Sequence, residues 1–232
     1  NATNDLKKVL RAFYTFTFQH PKRAMLNAFT APLAGEVGVL DIGLRQKFYQ
    51  EANSKDFFVE SFEPISFYKP RTKFTYKNSY GHAYLVAGAD GTNGAALLSA
   101  QAAMRSGCGL LTLNAPKTLE GSLNQSLPEA ILAYREDSIY WPNFRFSAVG
   151  IGPGLGQAQR EKDLLKQVLQ NAKFPLVLDA DALNILATEK TWLSFLPQHT
   201  VLTPHIGEFK RLIGVSSLEE NYPEQLRSFA EK

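Results

Sequence analysis

Cysteine is nearly absent: Cys108 stands alone among 232 residues, so no internal disulfide can staple the chain. A disulfide-built extracellular scaffold is thereby excluded, and the compartment expected is the cytosol. The lone thiol lies in the apolar stretch Gly107-Cys108-Gly109-Leu110-Leu111, which reads as a small core residue rather than a nucleophile. Long apolar runs are missing too. Nothing approaches the ~20 residues of a membrane-spanning helix, and no basic-then-apolar leader opens the chain. Charge of one sign is scarce as well: a net +3 from scattered Lys and Arg argues against a dedicated nucleic-acid surface. There is no internal repeat or low-complexity tract. With 44% hydrophobic and 20% charged residues, wholesale disorder is also excluded. No metal site is assigned from the sequence.

What is present divides into two parts. Residues 1–65 hold an aromatic/Thr alternation, Phe13-Tyr14-Thr15-Phe16-Thr17-Phe18, whose period of two predicts a strand. Val37-Gly38-Val39-Leu40-Asp41-Ile42 predicts a second. Two strands and a short helix cannot bury a core of their own, so this part must lean on something else. Residues 66–73, with Pro70 and several basic residues, read as a linker. From His82 onward strands alternate with helices, the mark of a parallel sheet covered on both faces. Strands are expected at 83–87, 109–113, 129–133, 146–151, 175–179 and 199–203. Helices are expected at 95–106 (closed by Gly107), at 157–171, from Asp181 and from Gly207. The sequence opens Asn1-Ala2-Thr3 without Met and stops at Lys232 within a helical pattern, so it reads as trimmed or as an interior fragment.

In an open parallel sheet, ligands sit outside the carboxyl ends of the strands. Four loops leave such ends. Gly88-Ala89-Asp90-Gly91-Thr92-Asn93-Gly94 opens a helix, with Thr92 or Asn93 as its N-cap and small residues Ala95 and Ala96 behind it; it suits an anion or merely a tight turn. Gly150-Ile151-Gly152-Pro153-Gly154-Leu155-Gly156 fails the G-x-G-x-x-G dinucleotide fingerprint, because Leu155 or Gln157 falls where the third glycine belongs. Asp179-Ala180-Asp181-Ala182-Leu183-Asn184 brings two carboxylates to a strand mouth; one is expected to cap the next helix and the other to serve function. Thr203-Pro204-His205 carries a histidine with Glu208 three residues on, placed to donate to a phosphate or an amide carbonyl. His82, at a strand start, reads as structural.

Taken in order, Tyr80-Gly81-His82-Ala83-Tyr84-Leu85-Val86-Ala87-Gly88, Gly94-Ala95-Ala96, Met104-Arg105-Ser106-Gly107-Cys108-Gly109-Leu110-Leu111-Thr112, the loop from Gly150 to Gly156, Leu178-Asp179-Ala180-Asp181-Ala182-Leu183-Asn184 and Leu202-Thr203-Pro204-His205 resemble the ADP- or ATP-dependent NAD(P)H-hydrate dehydratases. The resemblance spans roughly residues 70–215. It implies a ribokinase-like α/β fold: a doubly wound, mostly parallel sheet with helices on both faces, truncated at its C-terminal end.

It also implies repair chemistry. The hydroxyl at C6 of the hydrated nicotinamide of NADH or NADPH becomes a phosphate ester at the expense of ADP or ATP, with Mg2+ accompanying, and is then eliminated. By carry-over, Ala95 or Ala96, Gly154 or Gly156, and His205 contact the hydrated dinucleotide, while Asp179, Asp181 and Asn184 line the same crevice. The family's later G-x-G-D turn, whose aspartate is thought to act as base, does not occur in this sequence, so the chain as given is expected to be inactive or nearly so. Residues 66–232 are expected to form the dehydratase-like domain.

Tyr14-Thr15-Phe16-Thr17-Phe18-Gln19, Pro21-Lys22 and Val39-Leu40-Asp41-Ile42-Gly43-Leu44 resemble the closing strands of an NAD(P)H-hydrate epimerase domain, so residues 1–65 read as its tail. A small-molecule kinase of the same fold and a nucleotide-binding remnant without turnover are the competing readings. Homo-oligomerisation is left open.

Overall fold

The computed structural model describes residues 6–52, 54, 56–59, 68–135, 146–218 and 222–231. The expected boundary between 65 and 66 lies outside the described residues. Two compact units are formed, one by 71–217 and the other by 1–70 with 218–232.

In the second of these, β1 (Tyr14–Phe18) and β2 (Glu36–Leu40) pair in parallel, Tyr14 opposite Glu36 and Phe18 opposite Leu40. The connection uses two one-turn helices, Arg23–Leu26 and Ala31–Ala34, and turns back at Gly35, whose φ of +64° suits glycine. The strand period separates Thr15 and Thr17 from the aromatics: Thr17 is buried, while Tyr14, Phe16 and Phe18 are more than 60% exposed. The helix Tyr222–Ala230 belongs to this unit through Arg227, which binds Asp56 at 2.9 Å, and Glu224, which binds Arg23 at 2.8 Å.

Residues 71–217 hold six parallel strands: β3 (His82–Val86), β4 (Leu110–Ala115), β5 (Ile131–Tyr134), β6 (Ala148–Ile151), β7 (Leu176–Leu178) and β8 (Val201–Leu202). Their order is β5-β4-β3-β6-β7-β8. The chain thus winds outward from β3 through β4 to β5, returns beside β3 as β6, and winds the other way. The switch point falls between β3 and β6. Five helices are connected with these strands: α1 (Asn93–Arg105), α2 (Glu120–Ser126), α3 (Gln159–Asn171), α4 (Asp181–Thr188) and α5 (Ile206–Ile213).

The inner strands β3, β4, β6 and β7 are largely buried because they are short apolar runs, as a strand covered on both faces requires. Leu85, Ala87, Leu111, Leu113 and Ala115 meet Ala96 and Ala100 of α1 and Leu119, Leu123 and Leu127 around α2. α3 contributes Leu164, Leu165, Val168 and Leu169, and α4 contributes Ala182, Leu183, Ile185 and Leu186. The spacings, i, i+1, i+4, i+5 in α3 and i, i+1, i+3, i+4 in α4, are the apolar stripe of a surface helix. At 25 cal/mol per Å², burial of each such leucine stabilises the fold by roughly 1.5–3 kcal/mol. Gly107, with φ +100°, ends α1 as expected. Cys108 is partly buried against the same cluster, and burial raises its thiol pKa, so little thiolate is available for attack. His82 is a core histidine: its Nε2 pairs with Thr112 Oγ1 at 2.8 Å and its ring meets Phe146 edge-on.

Candidate functional site

Because every pairing is parallel, the loops after β3, β6, β7 and β8 do share the carboxyl edge of the sheet. The two flanking the switch point are tied directly together. Gly88 N–H donates to Pro153 O at 2.8 Å, and Thr92 Oγ1 donates to Gly154 O at 2.7 Å. Gly154 has φ +60°, and a Cβ there would stand 2.9 Å from Ala95 Cβ. Gly152 is more constrained still. At φ +130°, its Cβ would stand 1.8 Å from Asp179 O, so only glycine lets β6 turn beneath the β7 loop.

Thr92 does occupy the N-cap position of α1, but its hydroxyl makes no cap bond. The expectation of a capping side chain here is corrected: the hydroxyl is spent on Gly154 O and on Ala89, where a cross-loop tie offers it a better acceptor. Of the two alanines, Ala95 is half-buried against Gly154, whereas Ala96 is fully buried and faces Gly88 inside the core.

The expectation that Asp179 or Asp181 caps α4 is also corrected. The N-cap is Ala180, without a side-chain bond and with the unusual backbone φ +48°, ψ −116°. Asp181 begins the helix and turns its carboxylate back to the β6 loop. It accepts from Gly156 N at 2.9 Å and from Gln157 Nε2 at 2.7 Å. Asp179 accepts from Thr203 Oγ1 at 2.8 Å and so joins the β7 and β8 loops. A non-glycine residue at positive φ between two carboxylates stores strain at the strand mouth, where functional sites hold such residues.

His205 is the N-cap of α5. Gly207 N–H donates to its Nδ1 at 2.9 Å, and its own N–H donates to Glu208 Oε2 at 3.0 Å, a reciprocal capping box. An accepting Nδ1 places the proton on Nε2, which lies 3.3 Å from Glu208 Oε1. The ring is two-thirds exposed and stands beside the buried carboxylate of Glu208. Glu208 is thus a residue whose part the sequence hinted at only by its spacing.

Asn184 joins the same set. Its Nδ2 donates to Asp181 Oδ1 at 3.4 Å and its Oδ1 accepts from Arg211 Nε at 2.9 Å. Gln157, Asn184, Ala187, Thr188 and Arg211 line a groove of about 460 Å³. Neither Gln157 nor Arg211 stands out in the sequence, since each is a single polar residue on a pattern of its own.

Arg135, just after β5, was also silent in sequence. It is 6% exposed and its Nη2 donates to the carbonyls of Ala87 and Gly88, both at 2.7 Å. A buried guanidinium therefore closes the end of β3 where the switch-point loop begins. Desolvation there pulls its pKa down to about 10. Among the described residues, no group of three or more His, Cys, Asp or Glu could hold a metal ion.

The family model described as NAD(P)H-hydrate dehydratase matches residues 83–232, which include all four loops. The chain is 33% identical over 220 residues to the bifunctional NAD(P)H-hydrate repair enzyme of Moorella thermoacetica, covering 90% of this chain and 42% of that protein. It is 34% identical over 168 residues to the ADP-dependent (S)-NAD(P)H-hydrate dehydratase of Streptococcus thermophilus, covering 70% and 60% respectively. The chain therefore spans about two fifths of the bifunctional relative. Among solved structures, the ADP/ATP-dependent NAD(P)H-hydrate dehydratase of Bacillus subtilis, co-crystallised with ATP/Mg2+, superposes with a TM-score of 0.58 at 32% identity, over 69% of this chain and 58% of that one. A ribokinase-like superfamily protein of Enterococcus faecalis gives 0.56 at 27%, over 68% and 58%, in keeping with the doubly wound sheet. By its sheet, its four loops and its matched residues, the chain belongs to the NAD(P)H-hydrate dehydratase family.

Proposed function

We propose that this chain serves the ADP- or ATP-dependent dehydration of the S form of hydrated NADH or NADPH. The observation that carries the reading is the switch-point crevice: two glycine loops locked together at Gly88–Pro153 and Thr92–Gly154, inside the segment that the family matches. In the reaction a phosphoryl group passes from ADP or ATP to the C6 hydroxyl, leaving AMP or ADP. Inorganic phosphate then departs with the C6–O bond as a ring proton is lost, which restores the reduced nicotinamide.

The residues of this chain supply binding and orientation. Ala95, Gly154 and Gly156 keep the crevice wall free of bulk, so a wide ring system can approach backbone. His205, held by Glu208, offers Nε2–H to a phosphate or to the carboxamide oxygen. Asp179, Asp181 and Asn184 fix the loops around the same crevice, and Mg2+ would travel with the nucleotide's phosphates.

The test is incubation of the chain with the S hydrate, ADP and Mg2+, following reduced nicotinamide, AMP and phosphate. Equal release of all three supports the reading; consumption of ADP only when a candidate alcohol is supplied would indicate a small-molecule kinase instead. A second reading, binding without turnover, is the alternative outcome of the same test. Calorimetry showing saturable hydrate binding with no product would select it.

For residues 1–65 we propose the tail of an epimerase-like domain. Support comes from the likeness to the Moorella protein, which extends over 90% of this chain while the dehydratase family match begins at 83. The parallel β1–β2 pair also fits, because a two-stranded parallel ladder ordinarily forms part of a larger covered sheet.

A further inference from the structure

We infer that the groove between α4 and α5 is a subsite for the diphosphate of an adenosine diphosphate moiety, with Arg211 as its anion-binding residue and Asn184 as its positioning residue. The inference deepens the dehydratase reading and rests on it for the identity of the ligand, because ADP and the hydrated dinucleotide both carry this moiety.

The groove has about 460 Å³ of space, within the range of small-molecule sites, and Gln157, Asn184, Thr188 and Arg211 bring polar groups to an otherwise largely apolar wall. Its single formal charge is the guanidinium of Arg211. That group is held on one side only: Nε donates to Asn184 Oδ1 at 2.9 Å, and no ion pair engages the terminal nitrogens among the described residues. The nearby carboxylates are already committed. Asp181 takes Gly156 N, Gln157 Nε2 and Asn184 Nδ2, and Glu208 takes His205. A guanidinium anchored through Nε presents its two NH2 groups as a fork, the geometry that matches phosphate oxygens in pairs.

The anchor also reports back to the crevice. From Arg211 the bonds run through Asn184 and Asp181 to Gly156, so the groove is wired to the glycine loop at the switch point. A diphosphate drawn to Arg211 would therefore be positioned with respect to the loop that receives the rest of the ligand.

The test is titration calorimetry on the whole chain with ADP, NADPH and adenosine, using wild type, Arg211→Ala, Arg211→Lys and Thr188→Glu. Thr188 stands on the groove's rim, so its replacement adds a competing carboxylate without touching the core. Arg211→Ala is expected to weaken ADP or NADPH by roughly tenfold or more while adenosine is unchanged. Thr188→Glu should reproduce the loss, and Arg211→Lys should recover part of it. A loss confined to ADP assigns the diphosphate to the phosphoryl donor; a loss confined to NADPH assigns it to the dinucleotide. Unchanged affinities in a variant that melts like wild type overturn the subsite, as does wild-type binding of ADP and NADPH no tighter than adenosine. The dehydratase reading fails separately: Arg211-dependent binding without dehydration leaves the groove standing, and dehydration with unaltered affinities removes only the groove.

Discussion

At residue 152 a single methyl group decides whether the β6 loop can close. A Cβ there would stand 1.8 Å from Asp179 O and 2.9 Å from Ala182 Cβ, and the backbone φ is +130°. Gly152→Ala is therefore expected to cost about 3 kcal/mol or more, read as a lowered urea midpoint at unchanged slope. Gly91, where an added methyl would meet no atom within 4 Å, has only its positive φ to protect and should tolerate alanine better. His82 gives a pH-dependent counterpart. Burial holds its pKa below the ordinary 6.5, so the unfolded chain takes the proton more readily than the folded one. Stability is then untouched above pH 6.5 and falls as pH drops through it. His82→Gln should flatten that acid limb in thermal melts taken across the range; an unaltered limb would place the titrating group elsewhere.

Among the elements, the loops hold one another through side chains, and Asp181 is the joint most exposed to test. Asp181→Ala strands Gly156 N and Gln157 Nε2 and frees Asn184, which should cost about 1–2 kcal/mol in chemical denaturation and weaken ligand binding as well. Arg135→Met removes the donor that closes Ala87 O and Gly88 O at the end of β3, with an expected loss of about 2–3 kcal/mol. How much of this was legible follows from what each signal depends on. Apolar runs placed β3 to β7 within a few residues, because burial on both faces demands them. β8 shrank from 199–203 to Val201–Leu202, since an edge strand needs few ladder bonds. The helix Glu120–Ser126, with the sequence EGSLNQS, escaped notice because only Leu123 of it is buried. Sequence showed that carboxylates and glycines met at the strand mouths, yet it could not show which partner each would choose. Thr92 and Asp181 are the clearest cases: residues with strong capping preference found cross-loop acceptors or donors that only the fold brings near.

For the whole molecule, the order β5-β4-β3-β6-β7-β8 is what turns separate loops into one crevice. Strand order was invisible to periodicity, although the parallel class was not, and the switch point between β3 and β6 exists only once the order is known. No helix among the described residues is long and apolar enough to cross a membrane. On the proposed reading the hydrated dinucleotide sits in this crevice, with Ala95 at its wall. The measurement that tests it most directly is a calorimetric titration of the chain with the S hydrate of NADPH, run beside Ala95→Leu, which fills the space next to Gly154. Saturable binding at a single site, weakened roughly tenfold or more by Ala95→Leu at unchanged melting temperature, is the predicted result. No saturable binding, or the same affinity in both proteins, would contradict it.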